Sequence, residues 1–200
     1  MSLKTQLTSL REINAAAFKL VGSKSINTHD GACWEATLAF GTQKLVRVSN
    51  GGYGGPDETH LLATPKLPIE VIRKQIATFF AIPAVQRLIK ASLIEMEGYS
   101  LEFKTITQDE FDAKKAAILA NDVAVSNEGI ELAVQAMADL HQSLASIKRK
   151  LKTSICYVKK GGDEKGEWYS CKAIDTPDNR AYIQKRYDVD YFLADLVAGL

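Results

Sequence analysis

A chain of 200 residues, 46% hydrophobic and 24% charged, can bury the core of one ordinary globular domain, or of a core domain with a small appendage. Its 25 basic residues stand against 24 acidic ones, so no global field calls for a nucleic-acid or membrane partner, and only a local basic patch stays open as a route to one. No apolar run approaches the roughly 20 residues that span a bilayer, and the start "MSLKTQLTSLREI" lacks the apolar stretch of a secretory signal, so the sequence reads as cytoplasmic.

The first element is a strand in "AAAFKLVGSKSI" (15–26), where residues alternate weakly around Phe18 and Leu20. "GACWEATLAFGTQKLVRVSN" (31–50) follows as a hairpin. A three-residue turn at Gly41, Thr42 and Gln43 sets Leu38 opposite Val46 and Ala36 opposite Val48. Trp34, Ala36, Leu38, Phe40, Val46 and Val48 then share one face, while Glu35 opposite Ser49 and Thr37 opposite Arg47 make the polar side. A one-residue slip would mix the two sets, so the pattern selects the register. The chain leaves this hairpin through "VRVSNGGYGGPDETH" (46–60), and Pro65 and Pro68 close the loop, with Pro68 suited to the first position of a helix.

Helices fill the middle of the chain. "IEVIRKQIATFF" carries Ile69, Ile72, Ile76 and Phe79 or Phe80 on one stripe. Pro83 kinks the chain or starts a second helix, which Gly98 can end. Thr107 and Glu110 form a capping box for a third, running to about Asn121. The fourth, from about Glu128 to Lys150, shows Met137, Leu140, Leu144, Ile147 and Leu151 at spacings of three and four, a packing seam too short for a dedicated coiled coil. A second hairpin joins "KTSICYV" to "WYSCKAI" through a charged, glycine-rich turn. Thr176, Pro177 and Asp178 then start a helix, and a short terminal helix is expected around "VDYFLADLVAGL". This order is not βαβ alternation. It predicts an α+β domain over residues 1–200: an antiparallel sheet built from the N-terminal strand and two hairpins, covered by several helices. Residues 1–64 and 152–200 supply strands and 66–151 a helical middle segment; the pattern leaves open whether the hairpins share one sheet.

The glycine segment is the candidate site: Asn50, Gly51, Gly52, Tyr53, Gly54, Gly55, Asp57 and His60. A phosphate cradle needs converging backbone amides, but Walker A requires Lys-Ser/Thr where Pro56, Asp57 and Glu58 stand, and "GGYGGPD" does not match GxGxxG. A plain strand exit accounts for one or two glycines. Four of them around an aromatic cost ordering entropy that close approach to another backbone would justify. His60 with Asp57 or Glu58 offers a rival reading as a general base in a small-molecule enzyme, with Cys33 as a nucleophile from the far end of the hairpin. No residue is assigned a catalytic role.

His29, His60 and His141 are far apart and no CxxC or HxxxH spacing is present, so no local metal site and no cofactor is expected. Cys33, Cys156 and Cys171 are an odd count that argues against a disulfide scaffold. With the second hairpin centred between Asp163 and Glu164, Cys156 and Cys171 face each other as a disulfide, half a metal site or two buried thiols, the last being commonest in a reducing cytosol. The run "KRKLKTSICYVKK" (148–160) holds six basic residues around Tyr157 and gives a nucleic-acid partner as the lesser alternative, since lysines also favour a helix C-terminus.

"ATLAFGTQKLVRVSNGGYGGPDETH" resembles a hairpin-plus-glycine segment of uncharacterised proteins of phages, plasmids and other bacterial mobile elements, and "KTSICYV" to "KRYDVDYF" does so more loosely. The resemblance implies a small intracellular accessory protein that blocks or modulates a host macromolecule; it carries no activity and marks no catalytic residue. Together these readings favour a non-enzymatic binding protein. Its partner would be a protein or other macromolecule rather than a membrane, in an oligomeric state the sequence does not set.

Overall fold

The computed structural model describes residues 1–28, 31–53, 57–163 and 167–200. The chain is α+β, with two antiparallel sheets, one for each hairpin. It divides into two compact units: Glu12–Ala138, and Met1–Arg11 together with Asp139–Leu200. Helices α1 (Leu3–Ala15) and α5 (Asn127–Leu151) each contain a point of division.

The larger unit holds a four-stranded sheet in the order β1 (Phe18–Thr28), β2 (Gly31–Phe40), β3 (Gln43–Asn50) and β4 (Glu58–Leu61). Leu38 pairs with Val46, Ala36 with Val48, Glu35 with Ser49 and Thr37 with Arg47, as the alternation requires. The turn differs in detail. Gly41 and Thr42 alone make it, Phe40 pairs with Gln43, and the extra residue sits in a bulge at Leu45 between the Ala39↔Lys44 and Leu38↔Val46 pairs. Both arrangements place Leu38 opposite Val46, and the bulge also leaves Leu45 fully buried.

Phe18 begins the apolar floor. Its ring lies 4.9 Å from that of Phe40 and 5.1 Å from that of Phe79, which in turn lies 6.0 Å from Phe80. Phe79 and Phe80 belong to α2 (Ile69–Phe80), whose buried stripe adds Ile72 and Ile76. Pro68 is the residue before this helix rather than its first turn. Ile82 caps α3 (Pro83–Glu102), which buries Ala84, Val85, Leu88 and Ile89 and runs straight through Gly98. Its end comes at Lys104, in the left-handed region at φ 57. There the Thr105 amide donates to the Ser100 carbonyl and the Lys104 amide to that of Leu101, both at 2.9 Å. This pair of bonds satisfies the last carbonyls, so the stop depends on backbone geometry that a lysine adopts here, and Gly98 has no part in it. Thr107 and Glu110 form the expected capping box of α4 (Gln108–Ala120), which buries no residue.

The smaller unit is built on a three-stranded sheet in the order β6 (Tyr169–Cys171), β5 (Ile155–Lys159), β7 (Val189–Phe192). The segment expected to form a terminal helix thus divides into strand β7 and a five-residue helix α7 (Leu193–Val197). Val189 and Phe192 turn inward beside Ile155, Tyr157 and Ile183, and that apolar demand favours the strand. Ile183 comes from α6 (Pro177–Arg186), where the Thr176 hydroxyl accepts from the Asn179 amide at 3.3 Å. Arg180 of α6 grips Asp175 through two nitrogens and Asp195 through a third. The N-terminal residues belong to this unit. The Lys4 amide donates to Asp163 at 3.2 Å, and Arg11 donates to the Leu196 and Ala198 carbonyls at 2.6 and 3.0 Å. Asp163 also accepts from the Tyr191 hydroxyl at 2.8 Å. No single helix among the described residues is long and apolar enough to cross a membrane; α2 and α3 taken together pass that test, but they break by 77°.

Candidate functional site

The glycine segment is not a strand exit. It connects two paired strands, because Glu58–Leu61 forms β4 and returns along β3 with Ser49 opposite Glu58 and Arg47 opposite His60. The loop between them is braced at its base by Asn50. The Asn50 amide nitrogen donates to Asp57 at 2.6 Å, and its oxygen accepts from the Gly52 N–H at 2.8 Å. The second bond is an Asx turn, with Gly52 at φ 76, where a Cβ would be strained. Gly51 serves differently: a Cβ there would stand 3.1 Å from Cδ2 of Tyr53, so the missing side chain lets the ring lie across the backbone. Tyr53 is 83% exposed while Gly52 is buried, so this part of the loop presents an aromatic ring more than a bare glycine strip. Gly54 and Gly55 lie outside the described residues.

His60 does not meet Asp57, which is held by Asn50. Its Nε2 lies 3.2 Å from Glu58 Oε2, two residues back on the same outward face of β4, and both side chains are largely exposed. An exposed pair of this kind is screened by water and contributes little. Cys33 pairs across β2 with Ile26 on β1 and is partly buried.

The second hairpin is one residue out of the expected register. Cys156 stands opposite Ser170 and Cys171 opposite Ile155, so the two cysteines do not face each other, and all three cysteines are free thiols. Burial pushes the Cys156 thiol above its ordinary range, which makes it inert at neutral pH. Among the described residues no group of three His, Cys, Asp or Glu side chains gathers into a metal site.

The basic run is divided between elements. Lys148, Arg149 and Lys150 lie in the last turn of α5, and Lys148 donates to the Leu200 carbonyl at 2.6 Å. Lys159 lies over the rings of Tyr169 and Tyr187, at 4.1 and 5.3 Å, and Lys160 pairs with Asp188 at 2.9 Å. Half of the six cations are therefore already engaged within the unit. The aromatic partners at this place, Tyr169 and Tyr187 flanking Tyr157, carried no signal in the sequence because α6 separates them along the chain.

No protein-family model, no curated protein and no solved structure gives a significant match to this chain.

Proposed function

We propose that this chain is a non-enzymatic binding protein that meets a macromolecular partner, most simply another protein, through the tip of the β3–β4 hairpin, with Tyr53 as the anchor. One observation carries the reading: an aromatic side chain 83% exposed on a loop whose base is tied by Asn50. A large ring in water gains nothing for the folded state, whereas a ring held outward loses little freedom when a pocket closes over it. Tyrosine suits the role because it offers wide contact area with few rotatable bonds. His60, Glu58 and Asp57 border this surface as polar rim residues. The resemblance to mobile-element proteins extends the proposal to an accessory role in the cytoplasm, acting on a host macromolecule.

A photoreactive phenylalanine analogue placed at position 53 should cross-link one partner in lysate of the expressing cell, while the same analogue at Phe103 should not. Tyr53→Ala protein should compete for that partner about 30-fold less well, the size of an interface hot spot. Equal competition by a Tyr53→Ala protein of unchanged circular dichroism would remove the loop as the contact surface.

A further inference from the structure

We propose that the larger unit carries a second binding site: a cleft for a small multivalent oxyanion, at the end of the β3–β4 ribbon remote from the glycine loop. The six residues of strand from Lys44 to Asn50 set the two places about 20 Å apart. The cleft, about 580 Å³, lies against the outward face of β2 and β3 and is walled by the segment after β4. Its volume is that of a small-molecule site.

Its charge is the informative feature. Lys44, Arg47 and Lys66 line the cleft with one carboxylate, Glu35. Arg47 is only loosely paired, its Nη1 3.9 Å from Glu35 Oε2. Lys44 and Lys66 have no carboxylate or hydrogen-bond partner among the described residues. Elsewhere in this unit Arg87, Lys90 and Lys114 each contact an acid. Three cations converging on one concave surface repel each other and focus a positive potential into it, which an arriving anion relieves. Hydroxyls complete the lining: Thr37, nearly buried in the floor, and Thr64 in the wall.

The wall is built before any ligand arrives. Thr64 and Leu67 exchange two backbone hydrogen bonds of 3.0 Å, and the Leu67 amide also receives the Thr64 hydroxyl oxygen at 3.1 Å. Pro65 and Lys66 form the two-residue turn this bridge closes, so the backbone carrying Lys66 is fixed in place. The Leu62 amide donates to the Leu45 carbonyl at 2.9 Å and ties the same segment to the bulge of β3. The ligand class follows from the lining: two or more anionic groups close together, as in a diphosphate or a polycarboxylate, with charge-assisted hydrogen bonds from the three cations.

The test is a titration of the full chain, followed by amide chemical shifts, with pyrophosphate, with tricarballylate and with sodium chloride at matched ionic strength. Saturable shifts at Thr37, Lys44, Arg47 and Lys66 with either oxyanion, absent with chloride, are expected; pyrophosphate alone would assign a phosphate ligand and tricarballylate alone a carboxylate one. Lys44→Gln with Lys66→Gln should weaken binding about tenfold or more, and Glu35→Gln, which removes the opposing charge, should tighten it. Failure of both oxyanions to saturate, shifts no different from those in chloride, or unchanged affinity in the folded double variant would each overturn the proposal. None of these results bears on Tyr53, so the site and the hairpin-tip reading stand or fall separately.

Discussion

His141 shows how a single side chain can set a pH limit. Its Nε2 on α5 is buried with no hydrogen-bond partner among the described residues. Burial, and secondarily the charge of Lys148, holds its imidazole below the ordinary value of 6.5. The unfolded chain therefore takes up a proton near pH 6.5 that the folded chain refuses, and stability is lost progressively as pH falls from there toward the lowered folded value. Above 6.5 both states are neutral at this residue and it contributes no slope. The urea midpoint of the wild type should drop between neutral and mildly acid pH, and His141→Leu should flatten that drop; equal slopes would assign it to another group. This role was not legible in the sequence, because a lone histidine beside an apolar seam is buried or solvated according to what packs over it. The Thr107 and Glu110 pair was legible, because a capping box is complete within four residues.

Among the elements, α4 depends most on local bonds. It buries nothing, and it is held by its capping box and by the 2.7 Å contact of Lys114 with Glu97 on α3. Thr107→Ala should speed amide exchange over 108–111 roughly fivefold, the effect expected of a lost N-cap, with little change in the global urea midpoint. A large global loss would mean that the helix is coupled to the core despite its exposure. The β2–β3 pairing was readable because six apolar positions on one face leave a single register, and the Leu45 bulge absorbs the turn without disturbing it. β4 was not readable: its four residues, "ETHL", alternate in exposure, but two of them are charged or titratable and a glycine run precedes them. The sequence therefore pointed to the right residues for the candidate site but to the wrong backbone form, an exit where a hairpin connection stands. Helix α1 went unread for lack of signals, having no acidic first turn and no basic last turn, with only Leu3, Leu7, Leu10 and Ile13 to mark its buried side. The β5–β6 register slipped because the length of a long polar turn says nothing of where pairing resumes.

At the scale of the whole molecule, one unit is continuous in sequence and the other is assembled from both of its flanks. Residues 1–11 bring Leu3, Leu7 and Leu10, all buried, and the bonds of Lys4 and Arg11 to residues 163, 196 and 198. Burying three leucines is worth about 5 to 8 kcal/mol at most, comparable with the entire stability of an ordinary domain. A chain lacking residues 1–11 should therefore lose exchange protection in β5 and β7 while β2 and β3 keep theirs. Loss in both sheets would show that the two units unfold as one. The same arrangement sets an order of events at the ribosome. At ordinary elongation rates the first helix emerges roughly 10 to 40 seconds before the last strand it must join, while the intervening 127 residues can already fold. For that interval its leucines are an orphaned greasy stripe, the part of a nascent polypeptide that a chaperone would be first to grasp.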